Sequence, residues 1–137
     1  MGQEYLLDSN AIIGYLAASI PAQGMEVVSS IVNQTPRISV ISQIEVLRFN
    51  DTPENEAILA DFINASIIYQ LNSVVVRRTI DLCKQSRIKL PDAIIAATAL
   101  TENLTLVTRN IDDFKHIHNL LLFNPWESNK TGTVGQV

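Results

Sequence analysis

The chain has 137 residues, of which 47% are hydrophobic and only 18% are charged. This length is typical of one domain, and the hydrophobic content excludes a disordered chain. The formal net charge of −4 excludes a protein that grips nucleic acid by bulk positive charge alone. We expect a single domain over residues 1–127 and a flexible tail over residues 128–137, which are small, polar and rich in glycine.

The cysteine content and the N-terminus indicate where the protein works. Cys83 is the single cysteine, which excludes an intrachain disulfide and favours a reducing compartment. Residues 1–4 lack the basic and long apolar regions of a secretion signal. No apolar run approaches the roughly 20 residues of a membrane span. The sequence therefore predicts a cytoplasmic protein without a membrane segment.

Short β-like runs alternate with helical patterns along the chain. The predicted elements are, in order, strand 5–7, helix 9–16, a helix around 25–32, strand 38–41, helix 42–49, helix 53–65, strand 67–71, helix 74–86, helix 90–102, strand 104–107 and strand 120–123. Pro21 and Gly24 are expected to break the helical pattern, and Cys83 is expected in the core. Strands separated by helices indicate parallel pairing. We therefore predict an α/β fold, a three-layer α/β/α sandwich with a mostly parallel central sheet.

Acidic residues follow the ends of several predicted strands. Asp8 follows the first strand, Glu45 lies beyond the second, and Asp92 opens the helix before the fourth. Ligands of parallel sheets bind beyond the carboxyl ends of the strands, so these three acids are expected to share one crevice. Each also has a structural interpretation: a helix cap for Asp8, a capping box of Ser42 with Glu45, and a favourable first-turn charge for Asp92.

Carboxylates gathered in one crevice repel one another, and no lysine or histidine in the same segments offers an obvious counter-ion. A hard divalent cation, Mg²⁺ or Mn²⁺, would resolve that repulsion. Such an ion can activate a water and offset charge on a leaving phosphate oxygen, which predicts phosphodiester hydrolysis. Beyond the fourth strand, the Thr108 hydroxyl could hold a water or a phosphate oxygen, and Arg109 could contact a backbone phosphate.

Several segments together carry a resemblance to a known family. They are Tyr5-Leu6-Leu7-Asp8-Ser9-Asn10, residues 42–46 (SQIEV), residues 90–99 (LPDAIIAATA), residues 106–110 (LVTRN) with Asp113-Phe114, and the closing Asn124-Pro125-Trp126. In this order they resemble a PIN domain, and more narrowly the VapC-type toxin of a bacterial type II toxin–antitoxin pair. The resemblance implies an Mg²⁺-dependent endoribonuclease that is often a homodimer. It also implies a small antitoxin protein that docks on the toxin and blocks its site.

The resemblance assigns metal ligation to Asp8, Glu45 and Asp92. Many family members have an Asp directly after the Thr-Arg pair, where this chain has Asn110. Either Asp113 takes part instead or the site works with three acids, so the number of ions stays open. The expected catalytic residues are Asp8, Glu45, Asp92 and Asp113, and the expected substrate-binding residues are Thr108, Arg109 and Asn110.

Three other functions compete with this one. A haloacid-dehalogenase-type phosphotransfer enzyme needs a second Asp two residues after the first, where this chain has Asn10. A receiver domain needs paired acids near the first strand and a lysine at a late strand end, whereas Lys115 falls in a helical stretch. A non-catalytic PIN-like module that binds RNA or protein, with the acids acting only as caps, is the alternative that Asn110 favours.

Overall fold

The computed structural model describes residues 2–127, so the tail predicted over residues 128–137 lies outside the described residues. The strands are β1 (Tyr5–Leu7), β2 (Arg37–Ser39), β3 (Ile67–Tyr69), β4 (Thr105–Val107) and β5 (Leu122–Phe123). The helices are α1 (Ser9–Leu16), α2 (Ala22–Gln34), α3 (Val40–Leu47), α4 (Pro53–Asn64), α5 (Ser73–Gln85) and α6 (Leu90–Glu102), with a short 3₁₀ turn at Ile111–Asp113. No helix of the described residues is long and apolar enough to span a bilayer.

The strands form two parallel ladders that lie side by side. In one, β4 pairs with β1 on one edge and β5 on the other; in the second, β2 pairs with β3. Contacts between β1 and β2 join the two ladders. Every strand pair in the described part is parallel, as the alternation of strands and helices predicts. The carboxyl ends of β1 and β4 therefore open on the same side of the molecule.

Helices cover both faces of the sheet. Leu7 and Val107 belong to a core shared with residues of α1, α2, α3 and α4. Leu6 and Leu106 belong to a second core built largely with α6 and the residues between β4 and β5. Neighbouring residues on one strand point to opposite faces, so a sheet buried on both sides needs apolar residues at successive positions. The arrangement confirms the three-layer α/β/α sandwich.

Helix α6 is the most deeply buried helix and carries Asp92 at its outer end. Its residues from Ala93 to Ala99 are all buried. Four of these seven residues are alanines, and the other three are two isoleucines and a threonine. The small alanine side chains let α5 and the sheet approach closely. Asn103 ends the helix in the left-handed conformation that favours Asn and Gly. The buried run fixes α6 in place and leaves Asp92, in its first turn, at the crevice.

The second strand ends earlier than the sequence pattern predicts. The Ser39 hydroxyl accepts a hydrogen bond from the Ile41 amide at 3.0 Å and caps α3, which begins at Val40. Ser42 and Glu45 consequently lie inside α3, and the predicted capping box is wrong. The core placement of Cys83 is also wrong, since its thiol is exposed.

Two glycines allow the segment after β5 to pack against the first two helices. Gly24 lies within α2, so the predicted break at this residue is wrong, while Pro21 does precede the helix. A Cβ at Gly24 would overlap the carbonyl oxygen of Pro125, and only glycine permits so close a backbone approach. In α1, a Cβ at Gly14 would lie 2.6 Å from the benzo edge of the Trp126 indole.

Replacing Gly24 by Ala tests the contact between α2 and the segment after β5. In a solvent-facing helix, Gly→Ala stabilises by up to about 1 kcal/mol. Here the new methyl group must displace the backbone of Pro125, so we expect the free energy of unfolding to fall by about 2 kcal/mol. Urea unfolding measures the change. Gly2→Ala is the control, because a Cβ there meets no atom within 4 Å. Equal stabilities of the two variants would contradict the contact.

Candidate active site

The pairing of β1 with β4 places Asp8 beside Thr108. Leu7 and Val107 are partners in the ladder, and the Asp8 amide continues it by donating to the Val107 carbonyl at 3.0 Å. The Thr108 hydroxyl donates to Asp8 Oδ2 at 2.8 Å. Asp8 is 5% exposed and Thr108 is 0% exposed. Thr108 therefore orients Asp8, and it has no exposed surface with which to make the substrate contact predicted for it.

Ser9 connects Asp8 with Glu45. Its backbone amide donates to Asp8 Oδ1 at 2.9 Å, and its hydroxyl donates to Glu45 Oε1 at 2.9 Å. The first bond is the helix cap predicted for Asp8. The second spans the contact between α1 and α3. The sequence analysis missed Ser9; its only signal was a hydroxyl residue directly after a candidate acid at a strand end.

Asn10 joins Asp8 to the loop after β4. Its amide nitrogen lies 3.2 Å from Asp8 Oδ2 and 3.3 Å from Thr108 Oγ1 and donates to both. Its amide oxygen accepts a hydrogen bond from the backbone N–H of Arg109 at 3.0 Å. Asn10 was also missed, since the sequence analysis used it only to reject a second Asp. The structure thus supplies a polar side chain that ties the first turn of α1 to the residues after β4.

The loop after β4 brings Arg109 and Asn110 to the surface of the crevice. Both residues are exposed, and the Asn110 amide donates to Thr108 Oγ1 at 3.1 Å. The Asn110 side chain makes no capping hydrogen bond to the 3₁₀ turn that follows it, contrary to its structural interpretation. The Arg109 guanidinium lies over the indole ring of Trp126, 4.9 Å from the ring centroid.

Burial and neighbouring charge raise the pKa of Asp8 to about 6. The largest cause is desolvation, which disfavours the charged carboxylate, and the negative charges of Glu45 and Asp92 act in the same direction. Hydrogen bonds from Thr108 and Ser9 oppose the rise in the pKa because they stabilise the carboxylate. Asp8 therefore lies within electrostatic reach of both other predicted ligands.

The pKa of Asp92 is raised as well, first by desolvation and then by the negative charges of Asp113 and Glu45. Lys89, the residue before α6, partly offsets this rise. The prediction that no cation lies near the acids is therefore wrong for Lys89, which is three residues from Asp92 and was overlooked. The four predicted acids form one electrostatically coupled group around the crevice.

The donor atoms of this group suit a hard cation. Carboxylate oxygens are the ligands that Mg²⁺ and Mn²⁺ prefer, and Mg²⁺ commonly takes one or two carboxylates and keeps several waters. Asp8 Oδ2 accepts two hydrogen bonds and Oδ1 accepts one from described residues, so Oδ1 retains a lone pair. Within residues 2–127, no three Asp, Glu, His or Cys side chains are arranged to hold an ion together. The set fits a hydrated Mg²⁺ rather than a closed cage, and the ligand roles stay a prediction.

The raised pKa of Asp8 predicts a pH-dependent stability in the absence of divalent ions. The folded-state pKa of Asp8 exceeds its ordinary value of 3.8. The contribution of Asp8 to the free energy of unfolding is therefore fully present below pH 3.8 and is lost as the pH rises through about 6. Between pH 5 and pH 8 this loss amounts to about 1 kcal/mol. Urea unfolding in EDTA should show that Asp8→Asn removes this share of the pH dependence. Asp81→Asn, at an exposed position of α5, should retain it. Identical profiles for wild type and Asp8→Asn would contradict the assignment.

Comparison with known proteins agrees with the fold. A sequence model of the PIN domain matches residues 5–120. A toxin–antitoxin complex from Klebsiella pneumoniae contains a chain that is 27% identical, with a TM-score of 0.71, covering 90% of this chain and 99% of that one. VapBC2 from Rickettsia felis, solved with a DNA fragment from its promoter, gives 27% identity and a TM-score of 0.70 over 88% of this chain and 97% of that one. VapBC-1 from nontypeable Haemophilus influenzae shares the fold at 22% identity, with a TM-score of 0.73 over 90% and 98% of the two chains. A search of curated proteins finds no significant match. The chain belongs to the PIN domain family.

Proposed function

We propose that this protein is an Mg²⁺-dependent endoribonuclease that acts in the cytoplasm as the toxin of a toxin–antitoxin pair. The observation that carries the proposal is the coupled group of Asp8, Glu45, Asp92 and Asp113 beyond the carboxyl ends of the strands. Membership of the PIN domain family and the likeness to VapBC complexes support it. RNA as the substrate rests on the resemblance to VapC-type toxins, and the single exposed thiol of Cys83 suits a reducing compartment.

Different residues of the crevice would have different roles in hydrolysis. Asp8, Glu45 and Asp92 would hold Mg²⁺, or Mn²⁺ as a substitute, either directly or through waters that the ion keeps. When bound, the ion supplies Lewis-acid stabilisation of negative charge on the phosphate and lowers the pKa of a water. Hydrogen bonds to Asp8 and Glu45 keep their carboxylates oriented before substrate arrives. Asp113, which is exposed and coupled to Asp92, would accept the proton released by the attacking water at its carboxylate.

An apolar groove supports a protein partner. It has a volume of about 150 Å³ and lies between α1 and α4. Leu16 contributes to its wall, and Phe49 and Ile58, both 48% exposed, present large apolar surfaces to it. Exposed apolar surface of this kind is typical of protein interaction sites. We propose that the cognate antitoxin is the partner, since solved structures similar to this chain include toxin–antitoxin complexes.

A homodimer is part of the same proposal. Val76, Ile80 and Cys83 are exposed and recur at helical spacing along α5. Val76 and Ile80 are 40% and 49% exposed, although both are large and apolar. A second copy of the chain would remove this stripe from water. No part of the proposed function involves a membrane.

Cleavage of a mixed cellular RNA pool tests the nuclease. With Mg²⁺ the wild type should cut RNA, and EDTA should abolish cutting. Asp92→Asn and Asp8→Asn should each lower the rate by about a hundredfold or more, because each removes a charge that holds the ion. Circular dichroism should show that both variants remain folded. Expression in a bacterial host should arrest growth with the wild type and not with Asp92→Asn.

Asp81→Asn is the matched control and should cut RNA at the wild-type rate, because it removes the same charge from an exposed position of α5 that is not among the charges raising the pKa of Asp8 or Asp92. The competing hypothesis is a non-catalytic binding module, which Asn110 and the lack of a closed three-acid cage favour. RNA binding without cutting, by a folded wild type supplied with Mg²⁺ and free of antitoxin, would refute the nuclease and support that module.

A further inference from the structure

The exposed Arg109 side chain is held in place at both its guanidinium and its backbone. The guanidinium stacks on Trp126, with 4.9 Å between its carbon and the ring centroid. The backbone N–H of Arg109 donates to Asn10 Oδ1 at 3.0 Å, and its carbonyl accepts from Asn124 Nδ2 at 3.4 Å. An arginine with so many restraints loses little conformational freedom when it binds a ligand.

The indole beneath Arg109 is itself fixed. The backbone N–H of Trp126 donates to Asn124 Oδ1 at 2.9 Å. Because the other side-chain atom of this amide, Nδ2, donates to the Arg109 carbonyl, Asn124 connects the two residues of the stack. The benzo edge of the indole lies against Gly14 of α1, where a Cβ would come within 2.6 Å of the ring. Trp126 is half-buried and serves as a platform between α1 and the guanidinium.

A groove of about 210 Å³ is lined by Arg109 and by Asp113, one of the predicted catalytic acids. Its lining also includes Asn110, Asn124 and two further carboxylates, Asp112 and Glu127. Arg109 is the one lysine or arginine among the residues that line it. No carboxylate of the described residues forms an ion pair with Arg109. Its charge is therefore available to an anionic ligand beside otherwise acidic walls.

We propose that Arg109, positioned by Trp126, binds the phosphate of an RNA nucleotide next to the one at the scissile bond, with that nucleotide in the groove. This subsite rests on the proposed function, because RNA is the ligand. Guanidinium groups form paired, charge-assisted hydrogen bonds with phosphate, whereas contacts to a phosphate do not read the base. Trp126 is a positioning residue that acts through Arg109.

Binding of labelled oligouridine and oligoadenylate in EDTA tests the subsite without cleavage. Arg109→Ala should weaken binding of both RNAs by about fivefold to tenfold and lower the slope of log K against log salt by about 0.7. Arg78→Ala, which removes the same charge from α5, should change neither quantity. A loss confined to one of the two RNAs would overturn the proposal in favour of base recognition.

The role of Trp126 is tested by a double-mutant cycle. Trp126→Leu keeps an apolar side chain against Gly14 but removes the stack, and should weaken RNA binding by about threefold. Arg109→Ala combined with Trp126→Leu should bind no more weakly than Arg109→Ala alone, because the platform acts through the arginine. Additive losses would overturn this role. Trp126 is the single tryptophan, so RNA should change its fluorescence in the wild type and much less in Arg109→Ala.

Cleavage kinetics separate failure of the subsite from failure of the proposed function. In Mg²⁺, Arg109→Ala should raise KM with kcat nearly unchanged. A wild type that cuts RNA, together with an Arg109→Ala variant of unchanged affinity and salt dependence, would overturn the subsite and leave the nuclease intact. A wild type that neither binds nor cuts RNA would overturn both.

Discussion

The burial of one carboxylate, that of Asp8, is the constraint around which this site is built. The ladder between β1 and β4 places the residue where water is excluded, and this desolvation is the largest cause that raises the pKa of its carboxyl group. Three donors reduce the cost of this burial: the Ser9 amide, the Asn10 amide group and the Thr108 hydroxyl. The remaining cost comes partly from Glu45, so a cation in the crevice would relieve burial and repulsion together.

Three consecutive residues, Asp8, Ser9 and Asn10, each reach a different part of the fold. Asp8 contacts the residue after β4, Ser9 holds Glu45 of α3, and Asn10 holds the backbone of Arg109. A single turn after β1 thereby assembles segments that are far apart in sequence. The predicted metal ligands Asp8 and Glu45 and the loop after β4 are thus joined in one hydrogen-bonded framework.

The fold and the meeting of the acids could be predicted because they depend on periodicity and on the rule that parallel strands end together. The helices α1, α4 and α6 start where the sequence predicts, since Asp8, Pro53 and Pro91 carry local start signals. The predicted boundaries of elements are wrong where tertiary structure or a single helix cap sets them. Ser39, for example, caps α3 and so ends β2 earlier than the pattern predicts. Gly24 looked like a helix breaker because Pro125, which requires it, lies about a hundred residues away.

The supporting side chains of the site could not be predicted in the same way. The bond between Asn10 and Thr108 spans 98 residues and depends on the register of β1 against β4. The stack of Arg109 on Trp126 depends on how closely the segment after β5 approaches α1, which Gly14 permits. No spacing of residues in the sequence identifies either contact. An acid at a strand end, in contrast, can be identified from its position directly after a predicted strand.

Direct measurement of Mn²⁺ binding tests most sharply whether the acids share one cation. The electron paramagnetic resonance signal of free Mn²⁺ would be followed while protein is titrated at neutral pH. We expect saturable binding that Mg²⁺ displaces. Asp8→Asn and Asp92→Asn should each weaken it by about tenfold or more, whereas Asp81→Asn should leave it unchanged. Equal Mn²⁺ affinity in the wild type and all three variants, or no saturable binding at millimolar Mn²⁺, would contradict a cation shared by the acids.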